Sequence, residues 1–209
     1  MSCPSCGAPL PTRNPGIVVT VCEHCDSVVT WDADAARDSG KKSRLPQGFT
    51  RLYTGATGTL EGTRFVVMGR VRYGYDRGFW DEWLLRLDAP DGQLEMWLTE
   101  DDHELAAELE RGRQVLPSTP PGGFRPGQTI PIGEHVFVVE EVGHAECIGL
   151  EGQLPESFEL GETYDYVDGS TADGAHTVGI EFDEDQPMVY VGEWIDHDAL
   201  ELDDAGDQW

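Results

Sequence analysis

Lysine is nearly missing from this chain: Lys41 and Lys42 are the only two in 209 residues. The 14 basic residues face 40 acidic ones, a formal net charge of -26. That balance argues against nucleic acid as a partner, because neutralising phosphates supplies most non-specific affinity. Anionic lipid surfaces are disfavoured for the same reason. Long apolar runs are missing too. No stretch approaches the roughly 20 residues a membrane-spanning helix needs. The N-terminus lacks a basic segment followed by an apolar one, so no secretory signal is expected and the cytoplasm is the expected compartment. Catalytic signatures are also lacking: no Ser-His-Asp pattern and no phosphate-cradling glycine loop is visible. Cysteine is sparse, at five residues, and four of them stand in Cys-x-x-Cys pairs. This usage fits a reducing compartment and metal binding rather than disulfides.

What the chain does contain is β-forming sequence. From Gly58 to Thr99 it reads as three consecutive strands. Phe65, Val67, Val71 and Tyr73 alternate in the first, Trp83, Leu85 and Leu87 in the second, Leu94, Met96 and Leu98 in the third. Period-two apolar placement marks half-buried strands. The Asp91-Gly92 pair marks a turn between the last two. Arg64, Arg70 and Arg72 are expected on the face opposite Phe65 and Val71. Trp80 and Glu82 fall on the face opposite Trp83, which makes them the candidate interaction surface.

Residues 1–31 carry Cys3-Pro-Ser-Cys6 and Cys22-Glu-His-Cys25, with fifteen residues between the pairs. This spacing predicts a four-cysteine structural zinc site on a zinc ribbon. Four thiolates close the coordination sphere, so no catalytic zinc is expected. Gly7 follows the first pair, where a knuckle commonly needs positive φ. A module this small draws much of its folding free energy from the metal.

Residues 32–48 read as a polar linker containing the basic run Lys41, Lys42, Arg44. Thr99 to Asp102 looks like a helix cap, with Leu105, Ala106 and Leu109 at helical spacing and Gly112 as the stop, predicting one short helix. Residues 117–127 are rich in proline and glycine and predict a connector. Beyond it, Gly133-Glu-His-Val-Phe-Val-Val139 echoes Gly62-Thr-Arg-Phe-Val-Val67. Further strands are expected at 145–150, 176–182 and 188–194. The whole is mostly β: an antiparallel barrel or sandwich over 49–195, in halves of about 49–116 and 128–195. The acidic tail 196–209 is expected to be frayed.

The chain resembles the family called domain of unknown function 4178. The resemblance rests on G-T-L-E-G-T-R-F-V-V-M-G-R-V-R-Y, W-D-E-W-L-L-R-L, D-G-Q-L-E-M-W-L-T-E-D, V-V-E-E-V-G-H-A-E, E-G-Q-L-P and M-V-Y-V-G-E-W-I. The N-terminal zinc ribbon is similar to those on family members. The family carries no established activity or catalytic residues. The resemblance implies association with membrane-stress proteins and a polyamine-linked system.

Three function classes follow. The first is a non-catalytic adaptor that binds a protein partner through the ribbon and Trp80. The second is an acidic protein that binds cations or polyamines. The third is an enzyme using His144 and Cys147, which stand three apart and so point to opposite faces of a strand.

Overall fold

The computed structural model describes residues 1–33, 35–46, 50–90, 92–102, 104–113, 116, 123–182 and 187–203. Among these, strands dominate, and the only helical element is a single 3-10 turn at His197–Ala199. The strands are β1 (Val19–Val21), β2 (Ser27–Asp32), β3 (Ala35–Lys42), β4 (Thr57–Leu60), β5 (Thr63–Tyr75), β6 (Gly78–Ala89), β7 (Gly92–Asp101) and β8 (Glu104–Arg113). The second half adds β9 (Thr129–Ile132), β10 (His135–Leu154), β11 (Thr163–Thr171), β12 (His176–Phe182), β13 (Met188–Trp194) and β14 (Leu200–Leu202).

Eight of these strands close on themselves. Antiparallel pairing runs β5-β6-β7-β8-β13-β12-β11-β10, and β10 returns to β5. The chain therefore forms an antiparallel barrel, which removes the exposed edges of those strands. The two halves share one register. Gly58 pairs Phe65 across the β4–β5 hairpin, and Ile130 pairs Phe137 across β9–β10. Each long strand then breaks register after its second valine, between Val67 and Gly69 and between Val139 and Glu141. The sequence echo is thus matched by an echo in pairing.

The bulge at Met68 decides which side chains face inward. An extra residue reverses the alternation beyond it. Phe65 and Val67 face outward with Trp83, Leu85 and Leu87. Past the bulge, the outward face passes to Arg70 and Arg72, while Val71 and Tyr73 turn into the lumen with Leu84 and Trp97. The expectation that Phe65, Val71 and Tyr73 share one face is therefore corrected. Arg70 and Arg72 are buried all the same, paired with Asp81 and covered on the outer surface. Arg64 remains exposed and pairs with Asp203.

The predicted helix over 99–112 is instead the end of β7, a turn and β8. Asp102 takes φ 43 in the turn, and Asp101 pairs Glu104 across it. Leu105 and Ala107 pack outward with Trp83 and Leu98, whereas Ala106 and Glu108 face the lumen. An isolated helix of this length is marginal in water. Pairing with both β7 and β13 satisfies the same backbone groups and closes the ring. Side chain 109 lies outside the described residues, as does most of the connector 117–127.

Two apolar clusters cover the outside of the barrel. Leu52, Ala56, Leu60 and Leu200 pack on the first half; Phe124, Ile130 and Ile132 pack on the second. Within the expected linker, Ala35–Lys42 forms β3 on β2. Within the expected frayed tail, Leu200–Leu202 forms β14 on β4, and Asp203 accepts hydrogen bonds from Arg64 and Thr57. Residues 204–209 lie outside the described set.

The N-terminal strands attach to the barrel. Val19 pairs Leu154 at the end of β10, and Asn14 donates to Gln153 Oε1 at 3.0 Å. Val19, Val21 and Val28 belong to the same apolar cluster as Val71, Leu84, Trp97 and Leu150.

Candidate functional site

Two sites stand out: a cysteine cluster and the barrel lumen. Each Cys-x-x-Cys pair bends within a few residues. Gly7 N–H donates to Cys3 C=O at 2.9 Å, and Asp26 N–H donates to Cys22 C=O at 2.8 Å. Gly7 and Asp26 close these turns at φ 78 and φ 61. The two knuckles bring Cys3, Cys6, Cys22 and Cys25 together with all four sulfurs within 4.8 Å of one another. Cys3 Sγ lies 3.8 Å from Cys25 Sγ, and Cys6 Sγ 3.9 Å from Cys22 Sγ. A tetrahedron with metal–sulfur bonds of about 2.3 Å has edges of about 3.8 Å, so the spacing suits a tetrahedral ion. The thiols resist sharing charge on their own. The Ser27 hydroxyl and backbone hold the Cys25 thiol down at about 6. The Ala8 backbone pulls on Cys6 in the same direction, but the neighbouring cysteines, Cys25 first, outweigh it and push it up to about 12. A divalent cation removes that conflict by stabilising all four thiolates.

The lumen is the second site. It holds a partly open cavity of about 340 Å³, large enough for a small ligand. Among the described residues, eight carboxylates line it, and no lysine or arginine does. Aromatic rings share its wall. Trp80 packs against Tyr73, Tyr75 and Tyr166 with ring centroids 5.3–5.6 Å apart. Tyr73 meets Tyr164 edge-on at 5.3 Å. Several acids are held by these rings: Tyr166 Oη donates to Glu141 at 3.0 Å, Tyr190 Oη to Glu181 at 2.6 Å, and Trp80 Nε1 to Glu82 at 3.3 Å.

Asp168 sits on β11 opposite Gly179, whose missing side chain leaves room beside it. Its carboxylate lies open to the cavity, with the barrel strands packed around that cavity. That confinement, followed by the charges of Glu141, Asp101, Glu181 and Glu140, pushes its pKa up to about 7. Asp101, nearer the mouth, is raised as well, first by burial and then by Asp102 and Glu141.

The family model described as Domain of unknown function (DUF4178) matches residues 53–197. The chain belongs to this family. No curated protein and no solved structure matches the chain. The span shared with DUF4178 takes in all eight barrel strands and every described residue lining the lumen. The cysteine cluster lies outside it, on the preceding segment.

Measured against this geometry, the expected site residues fare differently. The four cysteines come together as the spacing predicts. Trp80 and Glu82 share a face, but that face is the lumen and not an outer surface. Glu82 is buried and Trp80 half-buried, because ring closure turns their side of β6 inward. His144 and Cys147 are not brought together. His144 is exposed against Asp165, while Cys147 is buried, its thiol pushed up to about 12 chiefly by burial. Neither is set up for nucleophilic chemistry. The apolar pattern passes over β11, which supplies Tyr164, Tyr166 and Asp168. Its signal is an alternation of polar and aromatic residues, which marks a strand facing a wet interior rather than an apolar core.

Proposed function

We propose that the barrel lumen binds a small, multiply charged amine, and that the four cysteines hold a structural zinc ion. The observation that carries the first half is the lining itself: carboxylates interleaved with tyrosine and tryptophan rings in a partly open cavity. Ring faces and carboxylates together favour ammonium groups over neutral or anionic ligands. Asp168 supports this reading, since a carboxyl with a pKa near 7 regains its full charge when a cation arrives beside it. Isothermal titration with spermidine is the test. Saturable binding that weakens with salt and fails in Asp168→Asn is expected; the absence of saturable binding would overturn the reading.

A second reading, an adaptor for a protein partner, finds support in β3 and none in Trp80. Among the described residues, β3 lies at the edge of the sheet with nearly all its side chains exposed, so its outer side can take another strand. Ser39→Pro should then abolish capture of a defined partner while leaving the cysteine cluster loaded. A reducing compartment such as the cytoplasm keeps the thiols available for zinc.

A further inference from the structure

The hydroxyl of Tyr164 separates this lumen from a plain aromatic cage. Tyr164 lines the cavity, and its Oη is buried with no hydrogen-bond partner among the described residues. The neighbouring lumen tyrosines differ: Tyr166 and Tyr190 direct their hydroxyls to Glu141 and Glu181. A buried hydroxyl without a partner is a standing cost that a bound group can relieve. Burial pushes the Tyr164 phenol far up, so it stays a neutral hydroxyl across the physiological range. Glu181 and Glu82 lie close enough for their charges to act on it.

Its position is deep in the lumen. Tyr164 packs edge-on against buried Tyr73, and Glu82 on the same wall is buried too. Glu104 and Trp194, at the other end of the cavity lining, are exposed. A ligand that reaches Tyr164 has therefore passed the outer carboxylates and places its leading end at the floor.

Resting on the cation-binding reading of the lumen, we infer that Tyr164 selects ligands whose leading ammonium carries N–H bonds. The phenolic oxygen accepts one of those N–H groups, and the surrounding acids supply the charge. Aromatic faces alone hold a quaternary ammonium as readily, because ring attraction needs no hydrogen-bond donor. A methylated ammonium leaves Oη unpaired and brings bulk against the Tyr73 and Tyr164 rings. The lumen accordingly favours primary amines, and the Tyr164 hydroxyl is the atom that makes the distinction.

Calorimetric titration with two probes tests this: putrescine, and putrescine fully methylated on both nitrogens. The wild-type chain should bind putrescine more tightly. Tyr164→Phe should weaken putrescine by about tenfold or more, the loss of one hydrogen bond to a charged group, and leave the methylated probe unchanged. Equal affinity of the wild-type chain for the two probes overturns the inference, as does unaltered putrescine binding by Tyr164→Phe. Either result leaves the cation-binding lumen standing, whereas failure of both probes to bind overturns that reading and this inference together. If Tyr164→Phe loses its fold, the wild-type preference between the probes still decides.

Discussion

Arg72 and Asp81 form a buried two-pronged ion pair, with Nε 2.7 Å from Oδ1 and Nη2 2.7 Å from Oδ2. They face each other across β5 and β6, and both are almost fully enclosed. Arg70 joins the same carboxylate at 3.3 Å and also reaches Glu151 at 2.6 Å. Its guanidinium stacks 4.7 Å from the Trp83 ring, and that of Arg72 stacks 3.9 Å from Phe79. Asp81→Asn leaves two buried guanidiniums short of charge. Removing one partner of a buried pair costs about 3–5 kcal/mol, so the urea midpoint of the variant should fall steeply. An unchanged midpoint would show that the pair does not hold these strands together.

Elemental analysis of protein purified without chelator should find about one equivalent of zinc per chain. Cys22→Ser should lose the metal and lower the melting temperature of the barrel as well. The second effect is expected because Val19, Val21 and Val28 pack in one cluster with Val71 and Leu84. Folded, metal-free protein with intact stability would contradict both statements.

A chain beginning at Thr50 should keep its strands but lose stability. It strips cover from Leu154 and Leu150, which the N-terminal strands bury. Each fully uncovered leucine costs about 1.5–3 kcal/mol. Equal melting temperatures for the short and full chains would show that the two parts do not share a core.

Asp168 makes stability depend on pH in a stated direction. Its folded pKa of about 7 lies above the ordinary carboxyl value. Its contribution is therefore fully present below the unfolded value of about 4 and is lost as pH rises through about 7. Asp168→Asn should remove this slope, so the variant should gain on the wild type between pH 5 and 8 in thermal melts. Parallel curves would show that water in the lumen screens Asp168 from the neighbouring acids.

The same group predicts proton release. An amine bound beside Asp168 lowers its pKa, so binding near pH 7 should expel protons. Titrations in two buffers of different ionisation enthalpy should then give different apparent heats. Identical heats in both buffers would show that Asp168 does not change its charge when the amine binds.

The cysteine cluster is legible in the sequence, because each knuckle closes through hydrogen bonds only a few residues apart, such as Gly7 to Cys3. The strands around Phe65, Trp83 and Phe137 are legible from period-two placement. Residues 99–112 mislead, since Leu105, Ala106 and Leu109 fit a helix as well as a strand; pairing to β7 and β13 decides between them. Strand parity assigns Trp80 and Glu82 the correct shared face but the wrong surroundings.

The sequence alone determined what local chemistry can determine: four thiols at metal-binding spacing, alternating strands, and two Phe-Val-Val hairpins. Only the tertiary structure decided which side of each strand faces inward. A period of two separates two faces without saying which is enclosed. The bulge at Met68 exchanged those faces within a single strand, and the seams β5–β10 and β8–β13 closed the ring. Closure gathered acids from distant segments into one cavity, and confinement there raised Asp168 to about 7. Desolvation and charge repulsion depend on what surrounds a carboxyl in space, and neighbours along the chain do not specify that.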